Sequence, residues 1–312
     1  MKRGVLVPAL LSAVLVCPLL AAPAQAQAVR TFVSAAGNDS NNCANVATPC
    51  RHFQAAYNAT APGGEIVALD PANYGALNIT RSVSVQGQGW AFLSAGNNVP
   101  AINISAQPTD KVDLRGLVLD GGNAIALGIA FVSGGSLNLQ DSVIRNFAGG
   151  AIQFLTSAQL YVSNTRILDN GNTQPALLIG GNGGTNLNCV FNHVEIENNQ
   201  DIGLQLGQGQ GSGNVIINDS IIAGSINGII VTGGGESPPA FNVMVRNSTI
   251  TNNTWGLQVQ NSGAAVQLTR TTITGNTNGW ITSSGGTVQS YGDNNIDNNA
   301  NFSTAPPPIA NK

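Results

Sequence analysis

Charge is what this sequence has least of. Only 9 % of its 312 residues are charged, and Lys2 and Arg3 confine two of the 12 basic residues to the first turn of the chain, leaving 10 against 15 acidic ones. No basic stripe remains to neutralise phosphates, which argues against nucleic acid and against capture by anionic lipid. The same deficit weighs against a strongly anionic polysaccharide, unless a local basic patch overrules the net charge. Aromatic residues make up only 5 %, so any sizeable core must be aliphatic. Histidine occurs twice, at His52 and His193, and no Cys/His spacing matches a zinc site, so no metal and no cofactor is expected. Beyond the first 26 residues no apolar run is long enough to span a bilayer.

Those first residues read as a secretory signal. Lys2 and Arg3 precede an apolar stretch from Val5 to Leu20, and Ala24-Gln25-Ala26 offers a small-residue cleavage site. The mature chain is therefore expected to be exported, to the periplasm, the cell surface or the medium, without membrane insertion. In that setting Cys43 and Cys50, bracketing CANVATPC, read as a local disulfide. Cys189 stands beside apolar residues and reads as a small buried hydrophobe.

What the sequence has in quantity is repetition. Gly128, Ala151, Ala176, Gly203, Gly228, Gly256 and Gly279 recur at intervals of 23, 25, 27, 25, 28 and 23 residues. Leu119, Ile144, Ile167, Ile196, Ile222, Ile250, Ile273 and Ile296 recur in step with them, as do alternating pairs such as Leu160/Val162, Cys189/Phe191 and Val215/Ile217. A period in this range marks a solenoid, because one repeat cannot bury its apolar face alone and must stack on its neighbours. A smaller inward column runs Ser142, Thr165, Val194, Ser220, Ser248 and Thr271. Asparagines follow the isoleucines, as in Asn198-Asn199, Asn252-Asn253, Asn276 and Asn298-Asn299. At a recurring turn Asn tolerates left-handed backbone angles, and its amide can bond the same residue one coil away. Ahead of the repeat, Phe53, Ala56 and Tyr57 fall at helical spacing after Thr48 and Pro49, which predicts a short amphipathic helix over the open end of the first coil.

The opening TFVSAAGNDSNN…TPCRHFQAAYNAT…GGEIVALDPANYG, the repeat itself and the closing SYGDNNIDNN together resemble the right-handed parallel β-helix, or pectin-lyase-like, superfamily, and within it exported bacterial proteins of unassigned activity. The expected fold is all-β: a single-stranded right-handed parallel β-helix of about nine coils with an N-terminal capping helix. The expected organisation is a signal peptide over 1–26, a cap segment over 29–64, the β-helix over 65–299 and a Pro-rich tail over 300–312. The superfamily's catalytic signatures are missing. No NTD, GHG or RIK of the polygalacturonase-like members occurs, nor the epimerase-like DPHD, the pectate-lyase-like WIDH or the esterase-like LGRPW. Gly180-Gly181-Asn182-Gly183 also lacks the aspartate of a calcium-binding β-roll.

Two surface features remain. Aligning the inward columns sets Asp141, Asn164, His193, Asp219, Asn247 and Arg270 in one column, with Arg246 one position before Asn247. His193 and Asp219 then fall on adjacent coils with Arg246 one coil further, and such a trio can act as oriented base and anion holder. A solvated turn with scattered charges is the competing reading. Arg166 and Glu195 are expected as a cross-coil ion pair. The second feature is an outward apolar row, Tyr161, Val190, Ile216 and Met244, supplemented by Leu178, Ile230 and Ile281. It reads as a surface covered by the loops at 180–186, 207–213 and 233–239, as a subunit contact, or as a platform for sugar rings. The functional expectation is a non-catalytic, glycan-associated or structural binding scaffold. The alternatives are a polysaccharide lyase, less readily a glycoside hydrolase, at His193, Asp219 and Arg246, or a self-associating adhesin-like surface protein.

Overall fold

A computed structural model describes residues 27–310 apart from 97, 173, 181–184, 208–210 and 235–240. The expected signal peptide over 1–26, and parts of the three long loops, therefore lie outside the described residues. The chain winds as a parallel β-solenoid in which each coil lays its strands on those of the coil before. Nine strands, from Leu77–Ile79 to Asn278–Ser283, stack into one sheet, and they delimit about eight full turns where nine coils were expected. The other sheet has 17 strands because long ones, such as Gln159–Leu168 and Thr185–Glu197, bend midway and serve two faces of the coil.

The register follows the apolar columns of the sequence. Leu160 pairs with Cys189, Cys189 with Val215, Val215 with Val243 and Val243 with Val266. The isoleucine column pairs rung by rung from Leu119 to Ile296. Each of these side chains stands over its counterpart about 4.8 Å away, so like packs on like, and burial of each contributes roughly 1.5–3 kcal/mol before entropy. Cys189 is buried as a free thiol, and burial pushes its pKa up to about 12.

Two turns shape each coil, and both are left-handed in backbone. The first bend falls on Asp141, Asn164, His193, Asp219, Asn247 and Arg270, with φ from 46° to 55°. Next to it the small inward residues are buried, and their hydroxyls take the ladder's place: Ser220 Oγ accepts from Val194 N–H at 3.1 Å, and Ser248 Oγ from Ser220 N–H at 3.1 Å. The second turn falls two residues after each isoleucine and, at Asn170, Asn199, Asn253 and Asn276, is followed by a buried asparagine. Asn253 Oδ1 accepts from Ser225 N–H, and Asn276 Oδ1 from Asn253 N–H, both at 3.0 Å. The recurring small residue faces this ladder. A Cβ on Gly256 would lie 3.1 Å from Asn276 Nδ2 and 2.5 Å from Gly279 O.

At the N-terminal end a helix, Phe53–Ala59, buries Phe53, Ala56 and Tyr57 over the first coil. It starts after His52, later than Thr48-Pro49 suggested, and has no side-chain N-cap from that residue. Asp39 does the capping from a distance: its carboxylate accepts from Arg51 N–H and His52 N–H and pairs with His52 Nδ1 at 2.6 Å. His52 is thus engaged in the cap. The loop that carries Asp39 is fixed by the Cys43–Cys50 disulfide.

Candidate functional site

The bend column sits at the edge of one broad outward face, and that face is the candidate site. Along it two outward columns run the length of the solenoid. One passes through Asp113, Asn138, Tyr161, Val190, Ile216, Met244 and Gln267. The other passes through Gln86, Arg115, Gln140, Ser163, Asn192, Asn218 and Arg246. Strand pleating puts both columns on the same side, so a linear ligand lying along the axis would meet both.

The structure sets His193 and Asp219 at successive positions of the bend, with Arg246 on the next coil. Asp219 takes its hydrogen bonds from the amides of Asn247 and Asn218, not from the imidazole. The Asn247 amide, helped by the nearby charges of His193 and Arg246, holds the Asp219 carboxyl below the usual aspartate range. Arg246 donates from Nε to Asn218 Oδ1 at 2.8 Å, and Asn218 Nδ2 donates to Asn192 Oδ1 at 2.6 Å. Among the described residues Arg246 enters no ion pair, whereas Arg166 closes on Glu195 at 2.6 Å as expected. Asp141 lies three coils from Asp219 along the bend, about 14 Å at one strand spacing per coil, beyond the roughly 6.5–9.5 Å that inverting hydrolysis needs.

The apolar row is contiguous, and the parts of the long loops expected to cover it lie outside the described residues. Tyr161, Val190, Ile216 and Met244 pair in succession, with Tyr161 43 % and Ile216 44 % exposed. Leu178 does not extend it: it faces outward beside Gln153 and Gln205 on the nine-stranded sheet yet is buried. Two shallow clefts flank the row. One, about 560 Å³, is lined by Lys111, Asp113, Asn138, Gln140 and Tyr161 among others, and one of about 380 Å³ by Ile216, Met244, Arg246, Thr269 and Tyr291.

A further cleft, about 690 Å³, was not anticipated from the sequence. It opens on the same face near the N-terminal end, between Arg30, Glu65, Gln86, Gln88, Arg115 and Asp141. An irregularity between Gln86 and Ala91 builds it, with Gln88 and Gly89 in left-handed conformations and Gly116 packed against them. Arg30 pairs with Glu65 at 2.6 Å and Arg115 with Asp141 at 2.8 Å, each through Nε. The signal for it was GQG at 87–89, where the period-2 alternation of an early strand breaks.

No family model matches the chain, and no curated protein matches it. Among solved structures it is similar to pectate lyase Pel9A, at 15 % identity and a TM-score of 0.52, over 84 % of this chain and 74 % of that one. The fold is the pectate-lyase-like right-handed parallel β-helix. This β-helix also matches ORF18 of Geobacillus virus E2 (14 % identity, 78 % and 53 % of the two chains, TM-score 0.47) and the A-module of the Azotobacter vinelandii mannuronan C-5 epimerase AlgE4 (13 %, 80 % and 91 %, 0.36).

Proposed function

We propose that this β-helix is an exported glycan-binding scaffold, and that the outward face carrying Tyr161 and the amide column is its binding surface. The observation that carries the reading is the pairing of an exposed aromatic ring with a ladder of side-chain amides and hydroxyls on successive coils. A sugar presents an apolar ring face and a rim of hydroxyls. Tyr161 with Val190 and Ile216 suits the first, and Gln140, Ser163, Asn192 and Asn218 suit the second. The fold shared with a pectate lyase makes polysaccharide a sensible class to test, and the Cys43–Cys50 disulfide agrees with an oxidising, extracytoplasmic location. No helix among the described residues is long and apolar enough to cross a membrane.

Affinity electrophoresis through neutral and acidic polysaccharides tests this. Retardation by at least one polysaccharide that is lost in Tyr161→Ala, with no product released, is the expected outcome. Retardation unchanged by Tyr161→Ala would move the surface elsewhere. One observation keeps a lyase in view, namely an arginine outside any ion pair beside His193 and Asp219. In that reading His193 takes a proton from the carbon next to a uronate carboxylate held by Arg246, a C=C bond forms, and the glycosidic C–O bond breaks as its oxygen takes a proton from water. Unsaturated-uronide absorbance from the wild type, abolished in Arg246→Ala and His193→Ala, would establish it over the scaffold.

A further inference from the structure

The cleft of about 380 Å³ lined by Ile216, Met244, Arg246, Thr269 and Tyr291 differs in chemistry from the rest of the outward face. The register explains why a hollow forms there. Arg246 pairs with Thr269, and Tyr291 follows Ser290, whose partner is Leu268, so these three residues occupy one outward column on successive coils. Thr269 is short and both its neighbours are long. The column therefore has a gap of two coils, about 10 Å, between a guanidinium and a phenol. Ile216 and Met244 pair in the adjacent outward column and supply an apolar wall, with Ile216 44 % exposed.

The polar groups around this cleft are few, and most are spent on one another. The Thr269 hydroxyl donates to Asp293 Oδ2 at 2.8 Å, and Asp293 also accepts from Arg270 N–H. Asp219 is near enough to feel the Arg246 charge, but its oxygens accept from the Asn218 and Asn247 amides. Arg246 donates from Nε to Asn218 Oδ1 at 2.8 Å, which fixes the guanidinium and leaves its terminal nitrogens outside any ion pair among the described residues. A fixed, unpaired guanidinium beside an apolar wall suits an anion whose remaining surface is apolar. A sugar acid meets the first demand and fails the second, because its hydroxyls would face Ile216 and Met244 without partners. The cleft beside Tyr161, with Asn138, Gln140, Ser163 and Asn192, has the amides and hydroxyl that this one lacks. A flat ring bearing a carboxylate meets both demands. We infer that this cleft is a binding site for a small aromatic carboxylate, distinct from the glycan surface around Tyr161. The ring lies on Ile216 and the Met244 thioether with its edge toward Tyr291, and the carboxylate takes paired bonds from Arg246 Nη1 and Nη2. The volume is at the small end for ligand pockets and suits a single ring with a short side chain.

Calorimetric titration of the purified protein with three small molecules tests this. The probes are cinnamate, cinnamamide (the same ring without the charge) and glucuronate (the same charge without the ring). No polysaccharide is present, so failure here leaves the glycan reading standing, and loss of the glycan reading leaves this site standing. Cinnamate is expected to bind with a dissociation constant of about 1 mM or below, and each of the other two at least about tenfold more weakly. Arg246→Gln is expected to bring cinnamate down to the cinnamamide level, and Met244→Ser to weaken it about fivefold. Cinnamate that does not saturate the protein by about 10 mM overturns the inference. So does cinnamamide or glucuronate binding as tightly as cinnamate, or a folded Arg246→Gln protein that binds cinnamate unchanged. Should either variant fail to fold, the three-probe comparison on the unaltered protein decides.

Discussion

The two turns of each coil use the same residue type to opposite ends. Both columns hold asparagines, and both sit at left-handed bends. At the second turn the asparagine after the bend is buried, and its amide is fully used: Asn253 Nδ2 donates to Ile222 O, Thr251 O and Asn276 Oδ1, while its Oδ1 accepts from Ser225 N–H. At the first bend the corresponding groups stand in solvent, so that asparagine can be exchanged for Asp141, His193, Asp219 or Arg270 as long as a small residue is buried next to it. Burial of a polar group with several obligatory partners leaves little freedom in the choice of side chain. Exposure at the same backbone angle leaves a place where charge can vary. The candidate site lies on the variable column for that reason.

The sharpest way to break this contrast is Asn253→Ala. It leaves the Ser225 N–H without its acceptor and strips the Ile222 carbonyl of its side-chain donor inside the core, and a loss of about 3 kcal/mol is expected from urea unfolding. A loss under about 1 kcal/mol would show that the ladder does not carry the stability assigned to it. The ladder also has one flawed rung. Ser225 stands where its neighbours are Asn199 and Asn253, and its hydroxyl is a buried polar atom without a hydrogen-bond partner. Gly203 faces it as Gly228 faces Asn253, so the space for a longer side chain exists. Ser225→Asn should therefore stabilise by about 1 kcal/mol, read as a higher denaturant midpoint at unchanged m-value. The smallest effect belongs to the exposed column. Asp219→Asn should leave the denaturant midpoint at neutral pH nearly unchanged. The amide of Asn247 lowers the Asp219 pKa on folding, so its contribution is present above the unfolded aspartate value and is lost as pH falls through the folded one. Asp219→Asn should accordingly flatten, slightly, the fall of the thermal midpoint below about pH 4.

Much of this is legible in the sequence. The isoleucine, serine/threonine and asparagine columns can be aligned by eye because a parallel in-register stack needs the same residue at the same place in every coil. That alignment also placed His193, Asp219 and Arg246 on consecutive coils and Tyr161 to Met244 in one row. It did not foresee that Asp219 would bond asparagines in preference to His193, since that choice depends on side-chain reach around a bend. The N-terminal cleft was missed for a related reason. It arises where Gln86 to Ala91 leave the repeat, and a method that reads periodicity sees only a gap there. The tail was read as Pro-rich and no more, because its bridges to Asn278 and Ser290 are contacts that neither composition nor period reveals.

The sequence by itself determined the solenoid, its register, its buried turns and its oxidised cysteine pair, because each of these is a local pattern repeated or a short-range spacing. Only the tertiary structure decided which polar groups are spent on one another and which face outward, where the clefts open, and that Asn301 and Pro308 bridge back to Asn278 and Ser290. Those are questions of distance between residues far apart in the chain, and composition and period carry no information about them.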